Sequence, residues 1–380
     1  MKTENKLKIC SNCVMDNTDS QIYFDDEGVC DHCIIFKNKI LPSWKYGVGH
    51  KHFLQKKIDK IKSDALGKEF ECIFGISGGI DSSFLLYKIV EDFGLKPLVF
   101  HVDAGWNSQI AVNNIEKLID KLNLDLFTVV IDWEEMRDLQ LSFFKSGVPH
   151  IDTPQDHAFF ASMYKFASKY NVKNIVTGGN YSTECVRNPK EWMYYQSDSI
   201  QLKSIHKKFG TVKLKTFPLT RVLWHKIYLP YIKGIKVWRP LDLIPYNKER
   251  AEKTLVEKFQ FQKYPQKHFE SRFTKFYESY WLYKRFGFDT RKVQYSSLIL
   301  TNQMSRQQAL EKLKKPPFDE IEIKNDFEYV ANKLRISVSK LHEYLRLPIK
   351  SYKDYRSQDL IYKIGSIASK KMNIEKGGKR

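Results

Sequence analysis

The chain has 380 residues, 42% hydrophobic and 14% aromatic, enough for one large domain or two to three smaller ones around a sizeable core. Its 63 Lys and Arg outnumber 44 Asp and Glu, a net charge of +19 that points to anionic partners such as nucleotides, sugar nucleotides, tRNA or an acidic protein surface. No run of about 18 apolar residues occurs and the first dozen residues lack an apolar centre, so neither a membrane span nor a signal peptide is expected, and the cytoplasm is the expected location. The basic residues are spread along the chain, as they also would be on a solvated lysine-rich surface.

In chain order, Cys10-Ser-Asn-Cys13 and Cys30-Asp-His-Cys33 come first and frame 16 residues. Six cysteines in a cytoplasmic chain argue for metal over disulfides, and this is the two-knuckle spacing of a structural zinc site with four thiolates. An iron site or two disulfides are the other readings. His32, between two ligands, is expected to face solvent, and Tyr23 and Phe24 to form a short strand. The element, residues 1–40, is too small to build a core, so metal would supply its folding energy. Residues 41–70 read as a linker with Pro42, Gly47 and Gly49, then a basic helix with Phe53, Ile58 and Ile61 as an apolar stripe.

Strands then alternate with helices. Strands are predicted at 71–76, 97–102, 126–131 and 174–177, and helices at 81–93, 109–122, 133–145 and 154–170, the last capped by Thr153. The alternation predicts an α/β fold, a doubly wound, mostly parallel sheet spanning 41–190, with ligands at the carboxyl ends of its strands. Three such ends are polar. In Ile73-Phe74-Gly75-Ile76-Ser77-Gly78-Gly79-Ile80-Asp81-Ser82-Ser83, an apolar run meets a glycine loop and a helix N-terminus, which makes an anion site of open backbone N–H groups. Gly78 and Gly79 permit close approach and positive φ, Ser77, Ser82 and Ser83 add hydroxyls, and Asp81 is placed to hold Mg²⁺. No Gly-Lys-Ser/Thr follows, so this is not a Walker A loop. The other two ends are His101-Val102-Asp103-Ala104-Gly105-Trp106 and Thr177-Gly178-Gly179-Asn180-Tyr181-Ser182-Thr183-Glu184. Each alone also reads as a turn; converging on one edge, the three form a nucleotide crevice.

Beyond Cys185 the alternation is lost. Residues 191–300 are aromatic and basic, with Trp192, Tyr194, Tyr195, Trp224, Tyr228, Tyr231 and Trp238 forming either a sugar or base platform or helical core. Lys267–Phe276 is a dense polar cluster on an expected helix, where Lys267, Ser271 and Lys275, and His268 with Arg272, share faces at i, i+4 spacing. That face meets phosphates, or it is simply a solvated basic helix. Residues 301–380 read as a helical tail, with Ser305 as a cap, a break at Pro316-Pro317, one or two helices over 319–347 and a frayed Gly-Gly-Lys-Arg end.

Ser-Gly-Gly-Ile-Asp-Ser-Ser at 77–83 resembles the PP-loop of ATP pyrophosphatases, which split ATP into AMP and pyrophosphate to adenylate an oxygen. With the Cys₄ knuckle, Gly178-Gly179-Asn180 followed by Thr183-Glu184, and Lys-His-Phe-Glu-Ser-Arg at 267–272, the chain resembles the N-acetyl sugar amidotransferase family from Cys10 to about residue 290. Those enzymes act in bacterial surface-polysaccharide pathways, on lipopolysaccharide O-antigen or on nonulosonic acids of the pseudaminic and legionaminic type.

The resemblance implies an AMP- and pyrophosphate-forming C–N ligase acting on an N-acetylated sugar or sugar nucleotide. The acetamido oxygen attacks the α-phosphorus of ATP, an O-adenylated imidate forms, and ammonia displaces AMP to leave an acetamidino group. It further implies that Ser77, Gly78, Gly79, Ser82 and Ser83 hold the β- and γ-phosphates, with Asp81 on Mg²⁺ and Val102 and Asp103 beside ribose and adenine. Gly178, Gly179 and Asn180 would cover the α-phosphate, Glu184 would be a second metal or orienting carboxylate, and Lys267, His268 and Arg272 would meet the pyrophosphate or the substrate's own phosphates. Cys185 lies in Glu-Cys-Val-Arg and Cys72 in a strand, so no glutaminase nucleophile is apparent. The family picture is a separate glutaminase and a cyclase-like partner that channel ammonia. Nucleic acid is not the expected partner. The competing reading is a tRNA-modifying PP-loop enzyme, a thiolase or lysidine-type ligase, which would share the ATP site and suit the charge. Sulfur transfer wants a cysteine pair near the nucleotide, however, and only Cys72 and Cys185 lie outside the knuckles. A zinc-ribbon nucleic-acid module would leave the PP-loop without a purpose.

Overall fold

A run that reads as continuously apolar is what a strand buried on both faces requires, and Cys72, Ile73 and Phe74 are fully buried at the centre of the sheet. The computed structural model describes residues 7–44, 51–192 and 194–371; the Gly47 and Gly49 positions and the Gly-Gly-Lys-Arg end lie outside the described residues. Its five strands, β1 (Cys72–Gly75), β2 (Pro97–Asp103), β3 (Leu126–Val130), β4 (Asn174–Val176) and β5 (Lys236–Trp238), form one all-parallel sheet in the order β3-β2-β1-β4-β5. The chain begins in the middle, winds outward to β3, crosses back to β4 and ends at β5. The direction of winding therefore reverses between β1 and β4, the point at which doubly wound sheets open a ligand crevice.

Side chains alternate between the two faces of this sheet. Phe74, Val99, Val176 and Trp238 pack with Leu85, Ile115, Leu118 and Leu255 on one side, beneath the helices Ile80–Tyr87, Gln109–Lys121 and Lys248–Phe259. Ile73, Leu98, Phe100 and Ile175 face the other side, against Met163 and Ala167 of the helix Thr153–Lys169. A third core joins the helix Trp133–Ser146 to the C-terminal helices. Phe144 meets Trp281 edge-on at 4.7 Å, and Phe276 meets Phe327 at 5.0 Å.

The structure departs from the sequence reading in several places. The alternation expected to stop at Cys185 resumes once, because the aromatic–basic stretch supplies β5; three residues are too short to show a period. Trp192 and Trp238 are buried whereas Tyr231 is 70% exposed, so these aromatics do not share one platform. Residues 267–270 are turn rather than helix, with His268 at φ +69° and Ser271 capping a helix that starts only at Arg272, so the i, i+4 faces proposed there do not exist. Thr153 is the first helical residue, not the cap, since Pro154 can occupy the first turn. Residues 319–347 hold two helices, Glu320–Leu334 and Val338–Leu345, separated at Arg335 by a left-handed residue. Ile58 and Ile61 are buried as expected, but Phe53 is exposed. Among the described residues no helix is long and apolar enough to cross a membrane.

Candidate active site

At the end of β1, Ile76 N–H donates to Phe100 O at 2.9 Å and the chain then turns through Ser77-Gly78-Gly79 into the helix Ile80–Tyr87. No side chain caps that helix, so its first-turn N–H groups stay open to an anion. Gly78 sits at φ +81°, and a Cβ there would lie 2.9 Å from Ala111 O. Gly79 has a negative φ; its small size is what matters, since a Cβ would meet Glu270 Oε1 at 2.7 Å. Ser77 Oγ accepts from Gly79 N–H at 3.2 Å and lies 3.2 Å from Ser82 Oγ. Ser83 stands apart: it is fully buried and its hydroxyl has no partner.

The loop after β4 lies directly against this turn, with only 3.2 Å between a Cβ placed on Gly178 and Ser82 N. Asn180 is fully buried and spends its amide locally, accepting from Thr183 N–H at 2.9 Å and donating to Gly178 O at 3.0 Å. It is therefore the cap of the short helix Tyr181–Glu184, which aims Glu184 back at the PP-loop. Arg239, at the end of β5, donates to Gly179 O at 3.1 Å. At the end of β2, Asp103 accepts from Gly105 N–H at 2.8 Å and from Asn107 Nδ2 at 3.2 Å, so it organises its own turn, with Val102 half-buried beside it.

Three of the expected site residues converge on one point. Lys267 Nζ lies 2.9 Å from Asp81 Oδ2, 2.7 Å from Glu184 Oε1 and 3.3 Å from Thr183 Oγ1. The Tyr246 hydroxyl donates to the other Asp81 oxygen. Burial pushes the Asp81 carboxyl up, but the Lys267 charge and the Tyr246 and Lys267 hydrogen bonds outweigh it and hold the group below the usual carboxylate range. Lys248 is drawn down by burial despite the Asp81 charge near it. The implied Mg²⁺ fits this donor set, because Asp81 and Glu184 offer hard oxygen ligands to one cation position, which the Lys267 ammonium now holds.

The other two expected catalytic residues point elsewhere. His268 Nδ1 meets Glu278 Oε1 at 2.8 Å. Arg272 reaches Asp326 at 3.2 Å and stacks 3.6 Å over Tyr329. Arg272 does line a cavity of about 320 Å³ with Ser108, Ile110, Tyr264, Phe269 and Asp326, and Tyr264 joins that cavity to the PP-loop by donating to Gly78 O at 3.1 Å. Tyr246, Lys248, Tyr264 and Arg239 had no motif to mark them; only the fold brings them to the crevice.

Residues 270–368 match the family model of the WbpG-like C-terminal domain of LPS biosynthesis proteins. Comparison with curated proteins gives no match. Among solved structures, NMN synthetase from Francisella tularensis is 15% identical over 58% of this chain and 98% of its own, with a TM-score of 0.28. NH₃-dependent NAD synthetase from Campylobacter jejuni is 15% identical over 71% and 99%, TM-score 0.29. The U34-tRNA thiolase NcsA from Methanococcus maripaludis, solved with its 4Fe–4S cluster, is 14% identical over 70% and 79%, TM-score 0.32. These structural likenesses carry no chemical argument.

The WbpG-like segment also clasps the cysteine element. Cys10, Cys13, Cys30 and Cys33 are buried, with Sγ separations of 3.8 Å (Cys10–Cys33), 3.6 Å (Cys13–Cys30) and 3.6 Å (Cys30–Cys33). A tetrahedral ion holding sulfur at about 2.3 Å spaces its ligands about 3.8 Å apart, so the four sulfurs fit one metal ion. Backbone N–H groups of Asn12, Cys13 and Cys30 point at Cys10 Sγ from 3.2 to 3.4 Å, as thiolates require. Arg306 donates to the Cys10 and Cys13 carbonyls, and Val14 N–H to Ser296 Oγ. His32 does not face solvent: it is buried, with Nε2 2.9 Å from Asp19, because Asp19 offers it a partner that water would otherwise supply. Phe24 pairs with Cys30 by a single bridge. Arg187, three residues past Glu184, reaches Asp31 of this element at 3.1 Å.

Two outcomes follow. Lys267→Met strands two largely buried carboxylates and should lower the unfolding free energy in urea by about 3 kcal/mol, part of which Glu184→Gln restores. A loss below about 0.5 kcal/mol would contradict the ion cluster. Cys13→Ser should abolish one bound metal ion per chain, read by elemental analysis, and lower the melting temperature; a metal-free parent protein of equal stability would rule the site out.

Proposed function

We propose that the chain is an ATP-dependent amidotransferase of bacterial surface-polysaccharide biosynthesis, converting the acetamido group of an N-acetylated sugar or sugar nucleotide to an acetamidino group. The observation that carries this reading is the meeting of the PP-loop with Asp81, Lys267 and Glu184 at the switch point, at the border of a WbpG-like segment of LPS biosynthesis proteins.

An amide carbonyl is a poor electrophile, and adenylating its oxygen makes that oxygen a leaving group. The open first-turn N–H groups of the helix Ile80–Tyr87, with the Ser77 and Ser82 hydroxyls, hold the β- and γ-phosphates, and Gly178 and Gly179 let the α-phosphate approach backbone. Bound Mg²⁺ supplies charge neutralisation along the triphosphate. Asp81 and Glu184 would hold it, and Lys267, which pairs with both in this structure, would then be free to meet the pyrophosphate. The acetamido sugar occupies the cavity walled by Tyr264, Phe269 and Arg272, where Arg272 can meet an anionic group of the substrate. Ammonia comes from a separate glutaminase through a cyclase-like partner. The four cysteines hold structural zinc. A thiolase is disfavoured because Cys72 is sealed inside β1 and Cys185 is buried against Ser297 O, leaving no thiol at the crevice.

The reading is tested by pyrophosphate release from ATP and Mg²⁺ with ammonium, comparing N-acetylated sugar nucleotides, nonulosonic acids and bulk tRNA. Sugar-dependent release, with a product in which C=O has become C=NH by mass spectrometry, is the expected result. Release that answers only to tRNA would overturn it.

A further inference from the structure

Basic residues are spread along the whole chain, but acids are not. Residues 199–241 contain ten Lys and Arg, eight of them Lys, and no Asp or Glu, so this one stretch holds more than half of the net charge of +19. It comprises the helix Ser199–Phe209, a loop, the helix Trp224–Ile232 and β5. The ATP crevice draws on Arg239, which reaches Gly179 from the carboxyl end of β5. Lys203, Lys207, Lys213, Lys215, Lys233 and Lys236 are all exposed.

From Phe217 to Leu229 the chain is laid along one face of the helix Thr153–Lys169. Phe217 stacks on His157 at 6.3 Å, Thr220 N–H donates to His157 Nε2 at 3.1 Å, and His225 stacks on Tyr164 at 5.4 Å. His157 and Tyr164 lie about two turns apart on that helix, so they share its face. Val222, His225 and Leu229 point inward and are buried. A surface helix that buries one side is expected to be polar on the other. Here the outer side is apolar too: Leu223 and Ile227 are 52% and 51% exposed, and Tyr231 and Ile232 more so. The helix Trp224–Ile232 is wound widely, with Lys233 N–H donating to Tyr228 O five residues back, so positions four and five apart share a face and these side chains form one strip. Leu219 extends the strip to an open groove of about 470 Å³, which Lys203, Lys207, Lys213 and Leu214 also line.

We propose that this strip and the lysines beside it form a docking surface for an anionic lipid bilayer, on which the protein lies without crossing it. Leu223, Ile227, Tyr231 and Ile232 enter the boundary between headgroups and acyl chains, while Arg221 and the lysines meet lipid phosphates. Composition separates this occupant from the others. Protein interfaces are depleted of Lys, which supplies eight of the ten basic residues here. RNA would use the charge and the tyrosine rings, but exposed Leu223, Ile227 and Ile232 offer nothing to a phosphate or a base edge. An anionic bilayer takes both the apolar strip and the charge. The strip ends just before the amino end of β5, whereas the crevice lies at the carboxyl ends of the strands, so docking leaves the crevice open. The inference stands on these residues alone and holds whatever reaction the crevice carries out.

The test is co-sedimentation of the full chain with vesicles of phosphatidylcholine alone and with vesicles in which phosphatidylglycerol makes up about a third of the lipid. The protein should pellet with the anionic vesicles and stay in solution with the neutral ones, and added salt should weaken the binding. Arg221→Gln and Lys233→Gln should each lower the partition coefficient about fivefold. Leu223→Gln combined with Ile227→Gln should lower it about tenfold at unchanged charge and unchanged melting temperature, since both side chains are exposed. No binding to the anionic vesicles would overturn the proposal. So would binding that the Leu223 and Ile227 pair leaves unchanged, which is adsorption by charge alone. Binding of bulk tRNA that the same pair weakens would overturn it in favour of RNA, and a concentration-dependent dimer that the pair dissolves would overturn it in favour of a second copy of this chain.

Discussion

Two ionised carboxylates in a largely enclosed corner need a cation between them, and the corner formed by Asp81 and Glu184 shows how that requirement is met. Asp81 arrives on the first turn of the helix after β1, and Glu184 on the short helix after β4. They are neighbours only because the sheet reverses its winding between those two strands. The cation comes from far along the chain: Lys267, at the threshold of the WbpG-like segment, reaches both. Under the proposed function, the same Lys267 side chain that balances the crevice would follow negative charge once ATP and its metal bind. A fixed Arg–carboxylate fork would be harder to dislodge, whereas Lys presents a compact charge on a flexible stem.

The remaining parts of the molecule hold that corner in place. The cysteine element braces Arg187 through Asp31, close behind Glu184, and is itself held by Arg306 and Ser296 from the C-terminal half. Metal there would rigidify one wall of the crevice without touching substrate. On the other wall, the 267–272 turn is tied to the end of β2 through the Asn107–Ser271 bridge and the Arg272 N–H to Trp106 O bond of 2.9 Å. Glu270 on this turn hangs over the glycine loop, accepting from Ser77 Oγ at 3.4 Å, so under the proposed function a phosphate bound there would meet this carboxylate.

Much of this was legible from residue order. A strand, a glycine loop and a helix start, and four cysteines at knuckle spacing, are patterns of local chemistry, and the structure forms the strand–loop–helix turn and brings the four sulfurs together. The long strands and helices fell within a residue or two of their expected ends, because their apolar periods are long enough to read. What failed was set by distant partners. The 267–271 stretch carries helix-compatible spacing, yet Ser271 caps a later helix and His268 takes a left-handed conformation, so tertiary contacts override the pattern. β5 was invisible because three residues show no period. Arg272 and His268 looked like phosphate ligands by charge, but Asp326 and Glu278, remote in sequence, claim them. Tyr246 and Lys248 sit in no motif and reach Asp81 only through the packing of the helix Lys248–Phe259 against the one that follows the PP-loop.

The central claim is that this crevice adenylates the acetamido oxygen itself. It is tested most directly by supplying an N-acetylated sugar substrate whose acetyl carbonyl carries a heavy oxygen isotope, then analysing the AMP released in the presence of ATP, Mg²⁺ and ammonium. If the acetamido oxygen attacks the α-phosphorus and later departs with AMP, the label appears in the AMP phosphate. Unlabelled AMP, with the isotope retained in the sugar or lost to water, would contradict the account.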